Sequence, residues 1–327
     1  MRRIEIGIGF FGAIYFTLMR TPLLGYKIAS GSIQRLIWGQ GLAPMQYRCL
    51  TYWILRLCYP LFGRPEDLLL ACQIIDFVSI VVFFYILIKL LEVYRLDPRL
   101  IFWAIPMTVF QYCFQPGTPS GYPFDIPALC FFTAGLLFLK QRRMSAFYLI
   151  FVFGTLNRET TILLTGILVI IVLRRVITLH KWDSFPPVAR QTGLSVPWQT
   201  GMVIFHIIIQ ILIWLVIKIF LWYIFQGDLA SIRFHDTPLI CYNLRHLTNL
   251  TTLVWVGSSF CFLWLPVVSN ISKIKDPIIY NGIIVFIIYF IVLLFVGIVY
   301  ELRIYGEFIP VFLIGLGFSW GRLANDK

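Results

Sequence analysis

Gly201–Phe225, GMVIFHIIIQILIWLVIKIFLWYIF, is apolar apart from His206, Gln210 and Lys218. As a helix rising about 1.5 Å per residue, a run of this length spans the ~30 Å hydrocarbon core of a bilayer. Working outward, Ile74–Leu91 and Gly282–Tyr300 repeat the pattern at similar length. The whole chain of 327 residues is 59% hydrophobic and only 13% charged, against about 25% charged in ordinary soluble domains. That little charge cannot cover a globule in water, and the mean hydropathy of +0.85 fits lipid as the solvent for most of the surface. The chain reads as all-α: a polytopic transmembrane bundle forming one domain over 1–327, in a bacterial inner membrane or its equivalent.

Apolar runs and their breakers place about ten helices at 4–19, 69–92, 100–114, 125–139, 145–156, 160–174, 200–225, 251–268, 280–299 and 307–319. Basic residues fall in alternate connections, which sets orientation by the positive-inside rule. Arg2/Arg3, Arg95/Arg99, Lys140/Arg142/Arg143, Arg174/Arg175/Lys181/Arg190, Lys273/Lys275 and Arg322/Lys327 are then cytoplasmic. The net charge of +12 is accounted for by this orientation and by lipid phosphates rather than by nucleic acid. The seven cysteines form no CxxC pair, and most lie inside apolar runs as packing residues. No small-residue cleavage site follows Ile4–Met19, so the expectation is a retained first helix.

Residues 20–68 fall outside in this scheme yet hold Arg20, Lys27, Arg35, Arg48, Arg56 and Arg64. Within them Tyr47–Leu61 has Leu50, Trp53, Ile54, Leu57 and Leu61 on one side, the pattern of a helix lying in the membrane interface. Its arginines either snorkel to headgroups or form a platform for a phosphate-bearing lipid. The short helices 145–156 and 160–174 enclose Asn157-Arg158-Glu159-Thr160, charges set between apolar flanks at a cost on the order of 3 kcal/mol each if unpaired. Asp76, deep in its helix, requires a partner, and His206, Gln210 and Lys218 share one helix face that should look into the bundle.

The order Pro44-Met45-Gln46-Tyr47-Arg48-Cys49-Leu50, Trp53-Ile54-Leu55-Arg56-Leu57, Leu61-Phe62-Gly63 resembles the first outer loop of the GT-C superfamily of membrane glycosyltransferases. The succession continues through Tyr94-Arg95, the turn Gly121-Tyr122-Pro123-Phe124-Asp125 and the basic turn Lys140–Arg143. Arg303-Ile304-Tyr305-Gly306-Glu307-Phe308-Ile309-Pro310 is similar to the late-helix signature of protein O-mannosyltransferase-like and aminoarabinose-transferase-like members. The resemblance implies a core module over 1–175 with more variable helices over 176–327. It also implies an outward-facing active-site cavity and a polyprenyl- or dolichyl-phosphate-linked sugar as donor, with inverting transfer typical. Members commonly carry an acid just after the first helix; here Arg20–Arg64 contains none, and Tyr26-Lys27 stands near that place.

Transfer needs a carboxylate to take the acceptor's proton and cations to hold the departing phosphate. The outer acids are Glu66, Asp67, Asp125, Glu159, Asp228, Asp236, Glu301 and Glu307. Glu159 is the first candidate base and Asp125 the second, with Asp125 as helix N-cap the competing reading. Glu159 otherwise belongs to a structural pairing of Arg158–Glu159 with other helices. Arg48, Arg158, Arg303 and Lys218, with Tyr47 and Tyr122, are the candidate substrate-binding residues; a Glu301–Arg303 surface pair is the bland alternative for Arg303. His235-Asp236 with His246 is a weak metal candidate, so the expectation is no cofactor, with a divalent ion the lesser possibility. Two functions stay open: a glycosyltransferase, or a GT-C-shaped accessory or lipid-binding subunit without catalysis. No internal repeat with matched broken helices points to a transporter.

Overall fold

In hydrocarbon, backbone N–H and C=O groups have no water to bond, so apolar runs satisfy them internally as helices. The computed structural model describes residues 2–29, 32–40, 46–62, 65–114, 121–182, 200–225 and 239–320, and among these there is no strand. The helices are α1 (Arg2–Ala29), α2 (Ser32–Ile37), α3 (Cys49–Phe62), α4 (Pro65–Val93), α5 (Ile101–Cys113), α6 (Asp125–Gln141) and α7 (Met144–Asn157). They continue with α8 (Leu163–Trp182), α9 (Thr200–Ile224), α10 (Leu239–Leu247), α11 (Leu250–Gly257), α12 (Trp264–Ser269), α13 (Pro277–Val296) and α14 (Ile309–Trp320). The all-α expectation holds among the described residues, while the helix bounds differ: the segment expected at 280–299 is helical over Pro277–Val296, and that at 307–319 becomes an α-helix at Ile309. Among the described residues six spans are long and apolar enough to cross a membrane: Ile4–Gly25, Asp67–Val93, Glu159–Ile177, Thr200–Ile224, Pro277–Val296 and Leu302–Trp320.

The main core joins α1, α4, α5, α6, α7 and α14 through Phe16, Phe83, Ile101, Phe132, Phe147 and Phe312, all at most 1% exposed. A smaller core of Leu24, Ile33, Tyr52, Leu55, Leu68 and Phe124 seats α2 and α3 against the starts of α4 and α6. The outer surface stays apolar: Phe205, Ile208, Val216 and Ile219 of α9 are all more than half exposed, the side a helix turns to lipid.

Alternating helix directions give the bundle two polar ends. At one end Lys140 pairs with Asp276, the N-cap of α13, and the Tyr94 hydroxyl donates to the same carboxylate at 3.2 Å. Arg174 lies 4.2 Å over the Tyr280 ring there and donates to Asn281 at 3.3 Å. At the other end, Arg20, Asp125, Arg158 and Glu307 meet. Asp125 opens α6 and Lys140 nearly closes it, so the ends stand about 22 Å apart along that helix. By the positive-inside rule the Lys140 end is the one expected on the cytoplasmic side, and the other end is called outer on that expectation. In a variant without native cysteines, a cysteine at 248 is therefore expected to react with an impermeant maleimide added outside intact cells, and one at 142 only after lysis. The reverse pattern would invert the bundle.

Two expectations need correction. The first helix does not stop at Met19: α1 runs on through Pro22, which places Arg20 inside the helix and fully buried rather than in an outer loop. The segment expected as one helix at 251–268 is broken at Ser259–Phe262, where Phe260, Cys261 and Phe262 take left-handed φ of 55°, 54° and 60°. Each such residue costs about 1–2 kcal/mol. The break is held by Gln111, whose carbonyl oxygen accepts from Phe260 N at 3.2 Å while its amide donates to the Leu302 carbonyl. Hydropathy reports only apolarity, which the break does not interrupt. In α3 the face formed by Cys49, Tyr52 and Leu55 is buried, while Ile54 and Leu57 of the stripe expected to face the interface are 41% and 79% exposed. Such a helix packs on protein with one face and meets lipid with the other.

Candidate functional site

Asn157-Arg158-Glu159-Thr160 is the hub of the outer end. Arg158 is extended, with φ −160° and ψ 135°, between α7 and the short 3-10 turn Glu159–Ile162. An extended residue sends successive side chains to opposite sides. Arg158 and Glu159 accordingly part, each to its own partners. The Asn157 amide donates to the Phe124 carbonyl at 2.9 Å, and the Thr51 hydroxyl donates to its oxygen at 2.6 Å, tying α3 to the start of α6.

Inward lies a buried ion network. Arg20 Nε donates to Asp76 Oδ2 at 2.6 Å, and Arg20 Nη2 to the Tyr122 carbonyl at 2.6 Å and to Asp125 Oδ2 at 3.2 Å. Asp76 thus has the partner its depth demanded. Arg303 Nη1 stands 3.5 Å from Asp125 Oδ2, and Arg158 Nη1 stands 3.8 Å from Asp125 Oδ1 and 3.2 Å from Glu307 Oε1. The Thr160 hydroxyl donates to Glu307. Asp125 does not cap α6: Phe124 is the N-cap residue, and the carboxylate folds back to accept from Tyr122 N at 3.1 Å while facing the arginines. Nor is Arg303 in a surface pair; it meets Glu301 at 2.8 Å, but its side chain is only 5% exposed. Tyr112 packs so tightly against the following turn that a Cβ at Gly306 would lie 2.2 Å from its hydroxyl, so glycine is required there.

Outward, Glu159 accepts from Arg48 Nη2 at 2.9 Å and from Arg48 Nε at 3.5 Å, a two-pronged pairing. Lys218 Nζ lies 3.9 Å from Glu159 Oε2, 5.7 Å from the centre of the Tyr47 ring and 5.8 Å from that of Trp214. The polar face of α9 does look inward: Gln210 accepts from Thr165 at 2.7 Å, and His206 meets the Tyr148 hydroxyl. A stacked pair of rings joins the two parts. Tyr122 and Phe124 lie 5.1 Å apart and nearly parallel, with Arg303 4.5 Å over Tyr122 and Arg48 4.7 Å over Phe124.

Every residue singled out as a catalytic or binding candidate therefore belongs to one connected assembly. Arg20, Asp76, Glu301 and Glu307 join it, and the available signal was their charge within apolar sequence. Asn157, Thr51 and Tyr112 carried no such signal. Arg64, the Glu66 side chain, Asp228, His235 and Asp236 lie outside the described residues. Among those described, no group of three or more His, Cys, Asp or Glu could hold a metal ion.

No protein-family model, curated protein or solved structure matches the chain. Fold and site together define an all-helical, multi-pass integral membrane protein with a buried ion network at one end of its bundle.

Proposed function

We propose that the chain is a membrane glycosyltransferase that moves a sugar from a polyprenyl- or dolichyl-phosphate carrier to an acceptor at the outer or lumenal face, in a bacterial inner membrane or its equivalent. The observation that carries this reading is the Arg48–Glu159–Lys218 cluster. Among the network's carboxylates Glu159 is the most exposed, at 36%, and it is flanked by two cations beside the interfacial helix α3. In the reaction an acceptor hydroxyl oxygen bonds to the sugar's anomeric carbon as the carbon–oxygen bond to phosphate breaks. The electron pair leaves on the phosphate, and the proton passes to a carboxylate. Glu159 is the residue for the proton. Lys218, at 3.9 Å, is beyond hydrogen-bond reach of Glu159 and can take a phosphate oxygen without breaking a made bond. Arg48 supplies the second charge-assisted contact. Asp125, fully buried among arginines, suits a positioning role rather than that of base: it holds Arg158, the residue before Glu159, together with Arg20 and Arg303.

Glu159→Gln keeps the shape and removes the basic oxygen. In membranes of cells expressing the chain, which carry its acceptors, supplied with polyprenyl-phosphate glucose, mannose or galactose, it is expected to release polyprenyl phosphate at least about 100-fold more slowly than the parent. A rate within threefold of the parent's would remove Glu159 as the base.

A second reading, a non-catalytic accessory or lipid-binding subunit, is favoured by one observation. Arg20, Arg48, Arg158, Lys218 and Arg303 are matched in number by Asp76, Asp125, Glu159, Glu301 and Glu307, and the first loop lacks an acid. Carrier binding that depends on Arg48, with no release of polyprenyl phosphate by the parent from any of these donors, would select it.

A further inference from the structure

Beyond the ion network, α10 lies across the outer end of α13 and is locked there by one side chain. The Asn243 amide donates to the carbonyls of Leu294 at 3.0 Å and Gly297 at 2.7 Å, and its oxygen accepts from Val299 N at 3.2 Å. A single buried amide thereby satisfies carbonyls that a helix end leaves without partners. From the other side the Tyr305 hydroxyl donates to the Val299 carbonyl at 2.6 Å. The turn leading to Tyr300 is thus braced twice. On this base three rings meet: Tyr242 and His246 at 4.4 Å between centroids, His246 and Tyr300 at 5.1 Å, with the two tyrosine hydroxyls bonded at 2.8 Å. All three are half-buried, and Glu301, 26% exposed, follows directly in the chain.

We infer that Tyr242, His246 and Tyr300, with Glu301 beside them, form a saccharide-binding subsite. The C–H face of a pyranose is weakly positive and packs on the negative face of an aromatic ring. Its hydroxyls need a few fixed polar groups at the rim, and Glu301 and the paired tyrosine hydroxyls are such groups. Burial and the bond with Tyr242 hold the Tyr300 hydroxyl above the ordinary phenol range, so it remains a neutral donor and acceptor. Aromatic side chains that merely anchor a protein at the headgroups need no such bracing. Here the rings are ordered before any ligand arrives, which removes part of the cost of binding.

Contacts run from this subsite to the Glu159 cluster. Glu301 pairs with Arg303, Arg303 lies over Tyr122, Tyr122 stacks on Phe124, and Arg48 lies over Phe124 and pairs with Glu159. On the transferase reading a saccharide held here belongs to the acceptor, an assignment that rests on that reading; the binding of a saccharide does not.

The test is saturation-transfer NMR on the full chain in nanodiscs, with methyl α-D-glucopyranoside and methyl α-D-mannopyranoside as probes. At least one probe is expected to receive saturation from the parent, and Tyr300→Ala and His246→Ala are each expected to weaken its binding about tenfold or more. Tyr300→Phe keeps the ring and should lose only a few-fold. Both positions are half-exposed, and each variant is checked by its melting temperature against the parent. No saturation of either probe by the parent, or equal saturation by folded Tyr300→Ala and His246→Ala variants, overturns the subsite. The readout needs no turnover, so an unimpaired Glu159→Gln enzyme would sink the proposed base while leaving this result intact.

Discussion

Asp125→Ala is expected to lower stability by about 3–5 kcal/mol and to leave little monodisperse protein after detergent extraction. The figure follows from what remains when one partner of a buried ion network is removed: cationic groups shielded from water and short of one negative charge. Asp125 is fully buried and stands within 3.8 Å of guanidinium nitrogens of Arg20, Arg158 and Arg303, so its loss affects all of them at once. Arg20 retains Asp76, Arg158 retains Glu307, and Arg303 retains Glu301, which keeps the cost from being larger. Against a total stability of about 5–15 kcal/mol for a typical domain, a loss of this size is a large share. Asp125→Asn separates charge from shape, because its amide oxygen can still accept from Tyr122 N. It should fall between parent and alanine variant. The measurement is thermal unfolding followed by size-exclusion chromatography, and an alanine variant melting within about 2 °C of the parent would show that these arginines do not depend on Asp125.

What could be read beforehand divides along physical lines. Helix positions were legible because lipid exposure writes continuous apolar runs, and ends were legible to within a few residues where charge returns, as near Lys140. The extension of α1 past Arg20 was not, because a single arginine in a run is the mark of a helix end until a partner is known. That partner, Asp76, lies 56 positions further along the chain. The break at Phe260–Phe262 escaped for the opposite reason: its residues are as apolar as their neighbours, and its cause, Gln111, lies on another helix. At the site the charged members announced themselves by the cost of placing charge between apolar flanks. Which of them meet, and which way each points, did not. Arg158 and Glu159 are adjacent in sequence and divide between a buried network and an exposed rim because one extended residue turns them apart. In α3 the period picked out Ile54 and Leu57, which are exposed, but gave no signal for Cys49, Tyr52 and Leu55, the face buried against protein.

The Arg20–Asp76 pair offers the clearest separation of charge pairing from packing. Both side chains are fully buried, joined at 2.6 Å, and the pair links α1 to α4. Arg20→Met strands the Asp76 carboxylate and also removes the donors to the Tyr122 and Tyr112 carbonyls. Asp76→Leu leaves Arg20 with Asp125 at 3.2 Å and both carbonyls. The arginine variant should therefore be the worse of the two, at about 3–5 kcal/mol. Replacing both leaves no isolated charge at this contact, and apolar side chains of similar volume pack where the ions were, so the double variant should be more stable than Arg20→Met alone. It should not return to the parent's stability, because Asp125 still loses one of its arginines. Expressed as a double-mutant cycle, the coupling is expected at about 1–3 kcal/mol, favouring the pair. Thermal or denaturant unfolding of the four proteins in one detergent gives the number. Effects that add within about 0.5 kcal/mol would mean that Arg20 and Asp76 contribute independently, and that the network is held by Asp125 instead.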